Sequence, residues 1–370
     1  MEMGRELSLE NKLRQSSVRE RVDQVLDGQR PGPWVVELDP TTACNLACHG
    51  CISANLLNQG GFDRERIRAL AQEFIDIGVR AVVLIGGGEP MAHPTFGTIV
   101  DMFHDAGLHL GLTSNGTLVH KHLDRLAEKF KWVRISVDAG TDETFRAFRP
   151  TASGASLFGR VIDNMRALAP LRVGKLGYSF LVLSKTDDSG AVIASNVGDI
   201  EAAAHLAKDI GCDYFEVKPS FDMMHFLQTH SQAVNAEVRQ QMDRIAHLQS
   251  ETFRLISPYT LHEALQGHDV QAKPYTRCLT ARLRTIVSPS GVYVCPYHRG
   301  NAEMRIGDAN TTSFQDIWHG EQRREIMQRL DPSTHCGFHC IRHRGNLLLE
   351  QWAAQGTNGR DTVDDYDMFI

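Results

Sequence analysis

Between residues 34 and 219 the sequence alternates short runs of β-type residues with amphipathic helical patterns. This alternation is typical of parallel α/β sheets and barrels, because each helix carries the chain back so that the next strand runs parallel to the last. Six units fall short of the eight in a closed barrel, so we predict an α/β fold, a partial (β/α)6 barrel of the TIM type. The six predicted strands are 34–38, 80–85, 109–113, 132–137, 175–183 and 213–218.

The first helix between these strands has clear start and stop signals. Asp63 can cap its N-terminus, apolar residues recur at helical spacing from Ile67 to Ile77, and Gly78 can end it. Similar patterns predict helices over 95–106, 119–130, 156–168, 197–210 and 235–250. Reacting groups in such folds gather at the carboxyl ends of the strands, so the segments that directly follow each strand hold the candidate site.

Length and composition limit the class of protein. The 370 residues, 42% hydrophobic and 23% charged, suit one large globular domain with a smaller one. We predict an N-terminal helix and linker over 1–33, a core over 34–250 and a C-terminal domain over 251–370. No run approaches the roughly 18 apolar residues of a membrane span, and residues 1–20 lack the apolar core of a signal peptide. We therefore expect a cytoplasmic protein that does not bind membranes.

The charge balance bears on partners. A net charge of -6 gives no basic footprint for nucleic acid, so a small molecule or a peptide is the expected partner. Eight cysteines in a chain of this length without a secretory signal indicate metal ligands rather than disulfides. Seven of them fall into two groups.

The first group, Cys44, Cys48 and Cys51, lies in one loop after the first predicted strand. Three thiolates can hold three irons of a four-iron, four-sulfur cluster and leave the fourth iron open, whereas a closed electron-carrier cluster takes four cysteines. Zinc is the alternative and needs a fourth ligand. His49 is the only local candidate, and closing a tetrahedron with its neighbours in the loop would be strained. The spacing therefore favours a cluster with an open iron.

The spacing of three residues and then two between these cysteines resembles the signature of the radical SAM superfamily. In that family the open iron binds S-adenosylmethionine through its amino and carboxylate groups, and one electron from the cluster cleaves it to a 5'-deoxyadenosyl radical. This sequence departs from the family at Gly50, where relatives often carry an aromatic residue that packs near the adenine. The resemblance covers residues 34–346.

A glycine run at residues 86–90 directly follows the second strand. Alone, such a run is as consistent with a tight turn as with a ligand site. It also resembles the family's Gly-Gly-Glu-Pro motif, which in relatives binds the amino group of S-adenosylmethionine. The resemblance therefore implies cofactor binding by Gly87, Gly88 and Glu89.

The fourth strand places Arg134, Ser136 and Asp138 on one face and apolar residues on the other. A central parallel strand is covered on both sides, so Ser136 and Asp138 are expected to face the lumen rather than solvent. In similar enzymes polar residues here bind the ribose or carboxylate of the cosubstrate. Arg149 matches an arginine that follows this strand in relatives, although a surface position is also consistent with the sequence. Asn115, after the third strand, belongs to the same predicted cofactor-binding set.

The sixth strand places Tyr214, Glu216 and Lys218 on one face. Glu216 and Lys218 either form a buried ion pair that only stabilises the fold or act as catalytic residues that hold substrate hydroxyls or move a proton. We name both as catalytic candidates. Glu37 on the first strand is a weaker candidate of the same kind.

The second cysteine group is Cys278, Cys295, Cys336 and Cys340. It resembles the twitch domain, a shortened SPASM extension that binds one auxiliary four-iron cluster. Four ligands close a cluster, so its roles are to accept or relay an electron or to stabilise the domain. Zinc competes here as well, because four histidines lie nearby in the sequence, His298, His335, His339 and His343. The remaining cysteine, Cys212, precedes the sixth strand and is expected to be a small core residue.

These features predict a radical SAM oxidoreductase with two [4Fe-4S] clusters, S-adenosylmethionine and an electron donor of the flavodoxin or ferredoxin type. The expected reaction is hydrogen abstraction from a small polar metabolite, such as an aminoglycoside, sugar or nucleoside-type intermediate of natural-product biosynthesis, with net two-electron oxidation of an alcohol. That substrate class rests on analogy. The alternatives are an epimerase, a dehydratase or deaminase, a decarboxylase, an enzyme that modifies ribosomally made peptides, and a metal-stabilised binding module without catalytic activity.

Overall fold

The computed structural model describes residues 9–221, 227–228, 230–356 and 362–370. The chain divides into two compact units. The first unit comprises Cys44–Asn55 and Leu112–Val270, and the second comprises the described residues up to Ala43, Leu56–Gly111 and Gln271–Ile370. The boundaries 1–33, 34–250 and 251–370 stay a prediction, and residues 1–8 of the first predicted segment lie outside the described residues.

Strands and helices alternate through the described chain as the sequence pattern indicates. In chain order the strands are β1 (Val35–Leu38), β2 (Ala81–Leu84), β3 (His109–Ser114), β4 (Phe130–Ser136), β5 (Lys175–Val182), β6 (Ser184–Thr186), β7 (Val192–Ser195), β8 (Tyr214–Pro219), β9 (Arg254–Ile256), β10 (Arg284–Ser288), β11 (Gly291–Tyr293) and β12 (Arg305–Gly307). The helices are α1 (Leu9–Leu13), α2 (Ser16–Leu26), α3 (Arg64–Asp76), α4 (Phe96–Asp105), α5 (Leu123–Lys129), α6 (Asp142–Phe148), α7 (Phe158–Leu168), α8 (Ile200–Ile210), α9 (Gln232–Ile245), α10 (Tyr259–Leu265), α11 (Phe314–His319), α12 (Glu321–Arg329), α13 (Pro332–His335) and α14 (His343–Gln355). None of the helices described is both long enough and apolar enough to cross a membrane.

All six predicted strands are present, as β1, β2, β3, β4, β5 and β8. Helix α3 begins as predicted, because the Asp63 carboxylate accepts a hydrogen bond from the Arg66 amide at 2.7 Å. It ends before Gly78, whose φ of +83° lies in the left-handed region that glycine adopts most easily. The other predicted helices are present with shifted ends, as α4, α5, α7, α8 and α9.

In the second unit, strand β1 lies between β2 and β10 and is parallel to both. Val35 aligns with Ala81 on one side and with Arg284 on the other. Strand β10 continues through a short hairpin into antiparallel β11, which pairs with β12. The C-terminal part of the sequence therefore supplies the neighbour of the first strand, an arrangement that the sequence pattern did not predict.

In the first unit, strands β4, β5, β8 and β9 form a parallel sheet in that order. Residues on one side of this sheet pack as a buried aromatic group. The Phe215 ring lies 5.6 Å from that of Tyr178 and 6.0 Å from that of Phe180. Cys212, just before β8, is buried among core residues, as expected. Strands β6 and β7 form a separate antiparallel hairpin.

The core of the second unit depends on Phe74 of α3. Its ring is fully buried, stacks on Phe103 at 6.2 Å and meets Phe314 edge-on at 4.8 Å. Aromatic contacts of this kind add to the free energy gained from burial. Phe314 thereby joins the C-terminal part of the sequence to helices α3 and α4.

We predict that Phe74→Ala lowers the free energy of unfolding by about 3–5 kcal/mol, because it leaves a cavity among rings that cannot close over it. Phe74→Leu keeps most of the apolar volume and should cost only about 1–2 kcal/mol. Urea unfolding followed by tryptophan fluorescence measures both. Equal costs for the two variants would show that Phe74 is not a packing centre.

Candidate functional site

The loop with Cys44, Cys48 and Cys51 belongs to the first unit, and all three cysteines are half-buried and form no disulfide with a described residue. Backbone hydrogen bonds fix the loop near the end of helix α6. The Ala47 amide donates to the Pro150 carbonyl at 2.7 Å, and the His49 amide donates to that of Phe148 at 2.8 Å. The imidazole of His49 packs edge-on against the Phe148 ring at 6.0 Å. The loop thus has a defined backbone.

Asn115, predicted to bind cofactor, lies next to the first cysteine. Its side-chain amide nitrogen is 3.8 Å from the sulfur of Cys44 and donates to the Asn45 side chain at 2.9 Å. Thr117 completes this polar group by accepting from the Asn45 amide at 2.9 Å. Hydrogen bonds to cysteine sulfur are one of the means by which a protein adjusts an iron-sulfur cluster, so this contact suits a cluster ligand.

Gly50, the departure from the family pattern, has a conformational explanation. Its φ is +68°, in the left-handed region, where a side chain strains the backbone. A Cβ atom there would make only an ordinary contact, 3.6 Å from Leu183, so the backbone conformation is what disfavours a side chain. The turn before Cys51 therefore favours glycine over the aromatic residue of relatives.

Asp138 and Arg149 form a buried ion pair in the first unit. Asp138 has a φ of +59° just after β4, and its other carboxylate oxygen accepts from the Leu181 amide at 2.8 Å. Burial works against the charge of Arg149, but the neighbouring Cys48 and Asp138 together hold its pKa above the ordinary value. Arg149 is therefore a buried cation beside a cysteine, not a surface residue. Ser136 is half-buried at the end of β4, aligned with Ser179.

The glycine run of the second unit follows β2 and packs tightly. A Cβ atom on Gly86 would lie 1.7 Å from the Gly88 carbonyl oxygen, and one on Gly88 would lie 2.4 Å from that of Ala43. Glu89 is buried, and its amide donates to the Ala43 carbonyl at 2.8 Å, one residue before Cys44. Its carboxylate caps the short helical turn that follows by accepting from the Met91 amide at 3.2 Å. Gly87 lies beside Asp39, since a Cβ there would be 3.3 Å from its carboxylate.

Glu216 and Lys218 of β8 form the predicted ion pair at 3.3 Å, and Arg134 of β4 joins it at 3.4 Å. Burial alone would raise the pKa of Glu216, but Lys218 and Arg134 outweigh it and the pKa is lowered. Burial, assisted by Arg134, lowers the pKa of Lys218. The structure thus brings both catalytic candidates together and adds Arg134. The sequence had indicated Arg134 only as a neighbour of Ser136 and Asp138 on one face of the fourth strand.

The second cysteine group lies in the second unit. Its four members are half-buried and form no disulfide with a described residue, namely Cys278, Cys295, Cys336 and Cys340. Several nitrogen atoms approach these sulfurs. The distances are 3.6 Å from the Asn346 side chain to Cys278, 3.4 Å from the Arg342 amide to Cys340, and 3.6 Å from the His298 ring to Cys336. Such contacts fit thiolates that carry negative charge in a cluster.

The histidines near this group make other contacts as well. His343 stacks on Tyr275 at 5.6 Å, and His335 lies 2.9 Å from the Asp331 carbonyl oxygen. His298 meets the Phe338 ring edge-on at 5.8 Å, and His339 is buried. Within the described ranges, no three His, Cys, Asp or Glu side chains are grouped as ligands of one metal ion.

Glu37 and Arg342 form a charge cluster that sequence reasoning largely missed. The Glu37 carboxylate on β1 pairs with Arg284 of β10 and with Arg342 at 2.7 Å. Burial opposes the charge of Glu37, but the two arginines lower its pKa below the ordinary value. Glu37 is therefore the centre of an ion cluster rather than a free acid. The only sequence signal for Arg342 was its place two residues after Cys340.

Burial raises the pKa of thiols in both groups, as it does that of the core thiol Cys212. Burial raises the pKa of Cys48 to about 11 and that of Cys295 to about 12. Because metal ligation requires the thiolate, binding of iron releases protons from such sites and stabilises the folded chain. The nitrogen atoms beside the sulfurs of Cys44 and Cys336, rather than these pKa shifts, are what suits the two groups to cluster ligation.

Comparison with known families bears on these two groups. A model of the radical SAM superfamily matches residues 38–190, which include Cys44, Cys48, Cys51 and the glycine run. A model of the SPASM iron-sulfur cluster-binding domain matches residues 278–341, which include Cys278, Cys295, Cys336 and Cys340. The first match implies a four-iron cluster with S-adenosylmethionine, and the second implies an auxiliary iron-sulfur cluster. The predicted cofactors are thereby confirmed.

Individual relatives extend the likeness along the chain. Mycofactocin maturase MftC of Mycobacterium tuberculosis (strain H37Rv) is 25% identical over 318 residues, which cover 82% of this chain and 75% of the relative. In fold, the chain is similar to anSMEcpe with bound AdoMet and Cp18Cys peptide, with a TM-score of 0.58, 15% identity and coverage of 87% and 97%. It is also similar to Streptococcus suis SuiB bound to precursor peptide SuiA, with a TM-score of 0.59, 14% identity and coverage of 84% and 70%. These likenesses confirm the predicted α/β fold.

We predict that Cys336→Ala lowers the iron bound after anaerobic reconstitution from about eight atoms per chain to about four, because a closed cluster needs all four thiolates. Cys212→Ala is the matched control, since this buried thiol belongs to neither group. Iron and sulfide analysis measures the result. An unchanged iron count in Cys336→Ala would contradict an auxiliary cluster at this group.

We predict that Gly88→Ala reduces the formation of 5'-deoxyadenosine on the order of a hundredfold, because the added Cβ displaces the backbone that precedes Cys44. Gly159→Ala is the control, since a Cβ there meets no atom within 4 Å. Chromatography of the products after reduction with dithionite measures the effect. Equal product from both variants would mean that the glycine run does not position the site.

Proposed function

Because the chain belongs to the radical SAM superfamily, we propose that it generates a 5'-deoxyadenosyl radical and uses it to modify a peptide. The observation that carries the choice of a peptide is the similarity to mycofactocin maturase, which extends over 82% of this chain. The likeness in fold to SuiB with a precursor peptide and to anSMEcpe with a bound peptide supports the same substrate class.

The residues of this chain take the following parts in the proposal. Cys44, Cys48 and Cys51 would hold a four-iron cluster, which would supply the electron for cleavage of S-adenosylmethionine. Asn115 donates a hydrogen bond to the Cys44 sulfur. Glu89, whose amide donates to the carbonyl of Ala43 just before Cys44, is the candidate for binding the amino group of the cosubstrate.

Arg149 and Asp138 contribute a charge pair to the same binding set. Since Asp138 already accepts from Leu181 and pairs with Arg149, its carboxylate fixes the guanidinium in place. A fixed cation beside Cys48 is suited to hold a carboxylate group. We therefore assign the contact with the cosubstrate to Arg149 and a positioning role to Asp138.

Oxidation of a small polar metabolite is the second candidate. The observation that favours it is the charged face formed by Glu216, Lys218 and Arg134, which offers hydrogen bonds to hydroxyl groups. The same face can equally bind polar groups of a peptide. The curated relatives that cover most of the chain favour the peptide, which reverses the order of preference given by sequence alone.

The test uses the anaerobically reconstituted protein with S-adenosylmethionine, dithionite and synthetic peptides encoded beside its gene. We expect one peptide to gain a mass change in step with 5'-deoxyadenosine. Small polyols and aminoglycosides form the comparison arm. Mass change in that arm alone would replace the peptide proposal with metabolite oxidation.

We predict that Glu216→Gln slows peptide modification by about tenfold or more, because Lys218 and Arg134 lose the charge that balances them. Cleavage of S-adenosylmethionine without peptide should remain, since that step uses other residues. The exposed Glu251→Gln is the control. Equal peptide turnover in both variants would remove Glu216 from the site.

A further inference from the structure

The second unit contains a cavity of about 400 Å³ whose walls carry five arginines, Arg30, Arg277, Arg282, Arg323 and Arg324. It lies between the end of helix α2, the turn before β10 and helices α11 and α12. None of the described residues that line it is acidic. A concave surface lined by one sign of charge concentrates the field that attracts ions of the opposite sign.

Among the residues that the structure describes, two of these arginines have an acidic partner. Arg277 pairs with Glu350 at 3.2 Å, and Arg324 pairs with Glu321. Among the described residues, no carboxylate lies within ion-pair distance of Arg30, Arg282 or Arg323. The cavity therefore holds three cations that nothing in the described chain neutralises.

Arg323 is the most buried of the three, with 7% of its surface exposed. Its guanidinium lies 3.5 Å from the centre of the Trp318 ring and donates to the Trp318 carbonyl at 3.3 Å. Burial and the nearby charges of Arg282 and Arg30 lower its pKa to about 9. The repulsion among these groups is relieved when an anion enters the cavity.

A short helical turn, Thr280–Arg282, connects this cavity to the auxiliary cysteines. At one end of the turn the Thr280 hydroxyl lies 3.5 Å from the sulfur of Cys278. At the other end Arg282 lines the cavity. Between them, the Ala281 carbonyl accepts from Arg323 at 3.5 Å. A partner in the cavity thus touches the same turn that contacts a cluster ligand.

The cavity is remote from the glycine run within the second unit. Pro31 and Arg282, which line it, precede the parallel strands β1 and β10, so they lie at the amino ends of these strands. The glycine run follows the carboxyl end of β2, which is parallel to β1. The cavity and the glycine run therefore lie at opposite ends of these parallel strands, so the cavity does not hold the cosubstrate.

We propose that the arginine cavity is the docking site of an acidic electron-carrier protein of the flavodoxin class. The proposal rests on the proposed function, because a carrier has a use here only if the auxiliary cluster exchanges electrons during turnover. One electron passes between the carrier's flavin and the cluster, so that one is oxidised as the other is reduced and no bond changes. Acidic side chains of the carrier supply the negative charge that balances Arg30, Arg282 and Arg323.

The test measures binding of a recombinant bacterial flavodoxin to the reconstituted protein by anaerobic calorimetry. The variant is Arg30→Glu with Arg282→Glu. We expect its dissociation constant to rise at least about tenfold. The matched control is Arg160→Glu with Arg166→Glu, two exposed arginines of helix α7 that change the net charge equally. Control binding should stay within about twofold, and wild-type affinity should fall as NaCl rises from about 50 to about 300 mM.

Iron content and formation of 5'-deoxyadenosine with dithionite report whether each variant keeps both clusters. If Arg282→Glu disturbs Cys278, the neutral pair Arg30→Ala and Arg282→Gln replaces it, with at least about threefold weaker binding expected.

Equal affinity of wild-type and variant proteins overturns the proposal. Stabilisation by inorganic pyrophosphate without flavodoxin binding also overturns it and assigns the cavity to a small anion. No peptide enters these measurements, so their failure is distinct from failure of the proposed function.

Discussion

One buried carboxylate, that of Glu37, controls how the C-terminal segment joins the first strand. It lies on β1 and accepts hydrogen bonds from Arg284 of the neighbouring strand β10 and from Arg342. Buried guanidinium groups cost several kcal/mol each unless a charge partner is correctly placed, and removal of one partner of such a pair costs about 3–5 kcal/mol. The segment that carries the auxiliary cysteines therefore has one favourable register on β1. The backbone amide of Arg342 also donates to the Cys340 sulfur, so the same register places one of the four auxiliary cysteines.

The two cysteine groups share an electrostatic arrangement. In the first unit Arg149 pairs with Asp138 and lies beside Cys48. In the second unit Arg342 pairs with Glu37 and lies beside Cys340 and Cys295. In both, a carboxylate fixes a buried arginine next to thiols whose pKa is raised by burial. A cluster with thiolate ligands brings negative charge into a region of low dielectric, where a fixed cation stabilises it strongly. Arginine suits this role because it stays protonated when buried.

The sequence predicted the elements that have strong local signals. The six principal strands and the Asp63 cap of α3 follow from hydrophobic periodicity and capping chemistry. Helix α6 was missed, although Thr141 caps it and acidic residues fill its first turn, because seven residues give little periodicity. Strands β10 to β12 were missed because three to five residues are too few for a pattern, and β10 is defined by its pairing with β1. The ion pair of Glu37 with Arg342 was not predicted either, because the two residues are 305 positions apart in the sequence.

The ion cluster of Arg134 on β4 with Glu216 and Lys218 on β8 determines how readily these side chains accept a proton. Glu216 has a lowered pKa and two cationic partners, so it is ionised at neutral pH and a weak proton acceptor. Lys218 has a pKa lowered by burial, which makes its amine a better acceptor than an exposed lysine, but Glu216 holds it in the charged form. A substrate group that displaces Lys218 from Glu216 would therefore change the protonation of both. Under the proposed function, the pair is better suited to hold a polar group of the substrate than to act alone as a base, because a proton could leave through it only once the ion pair was broken.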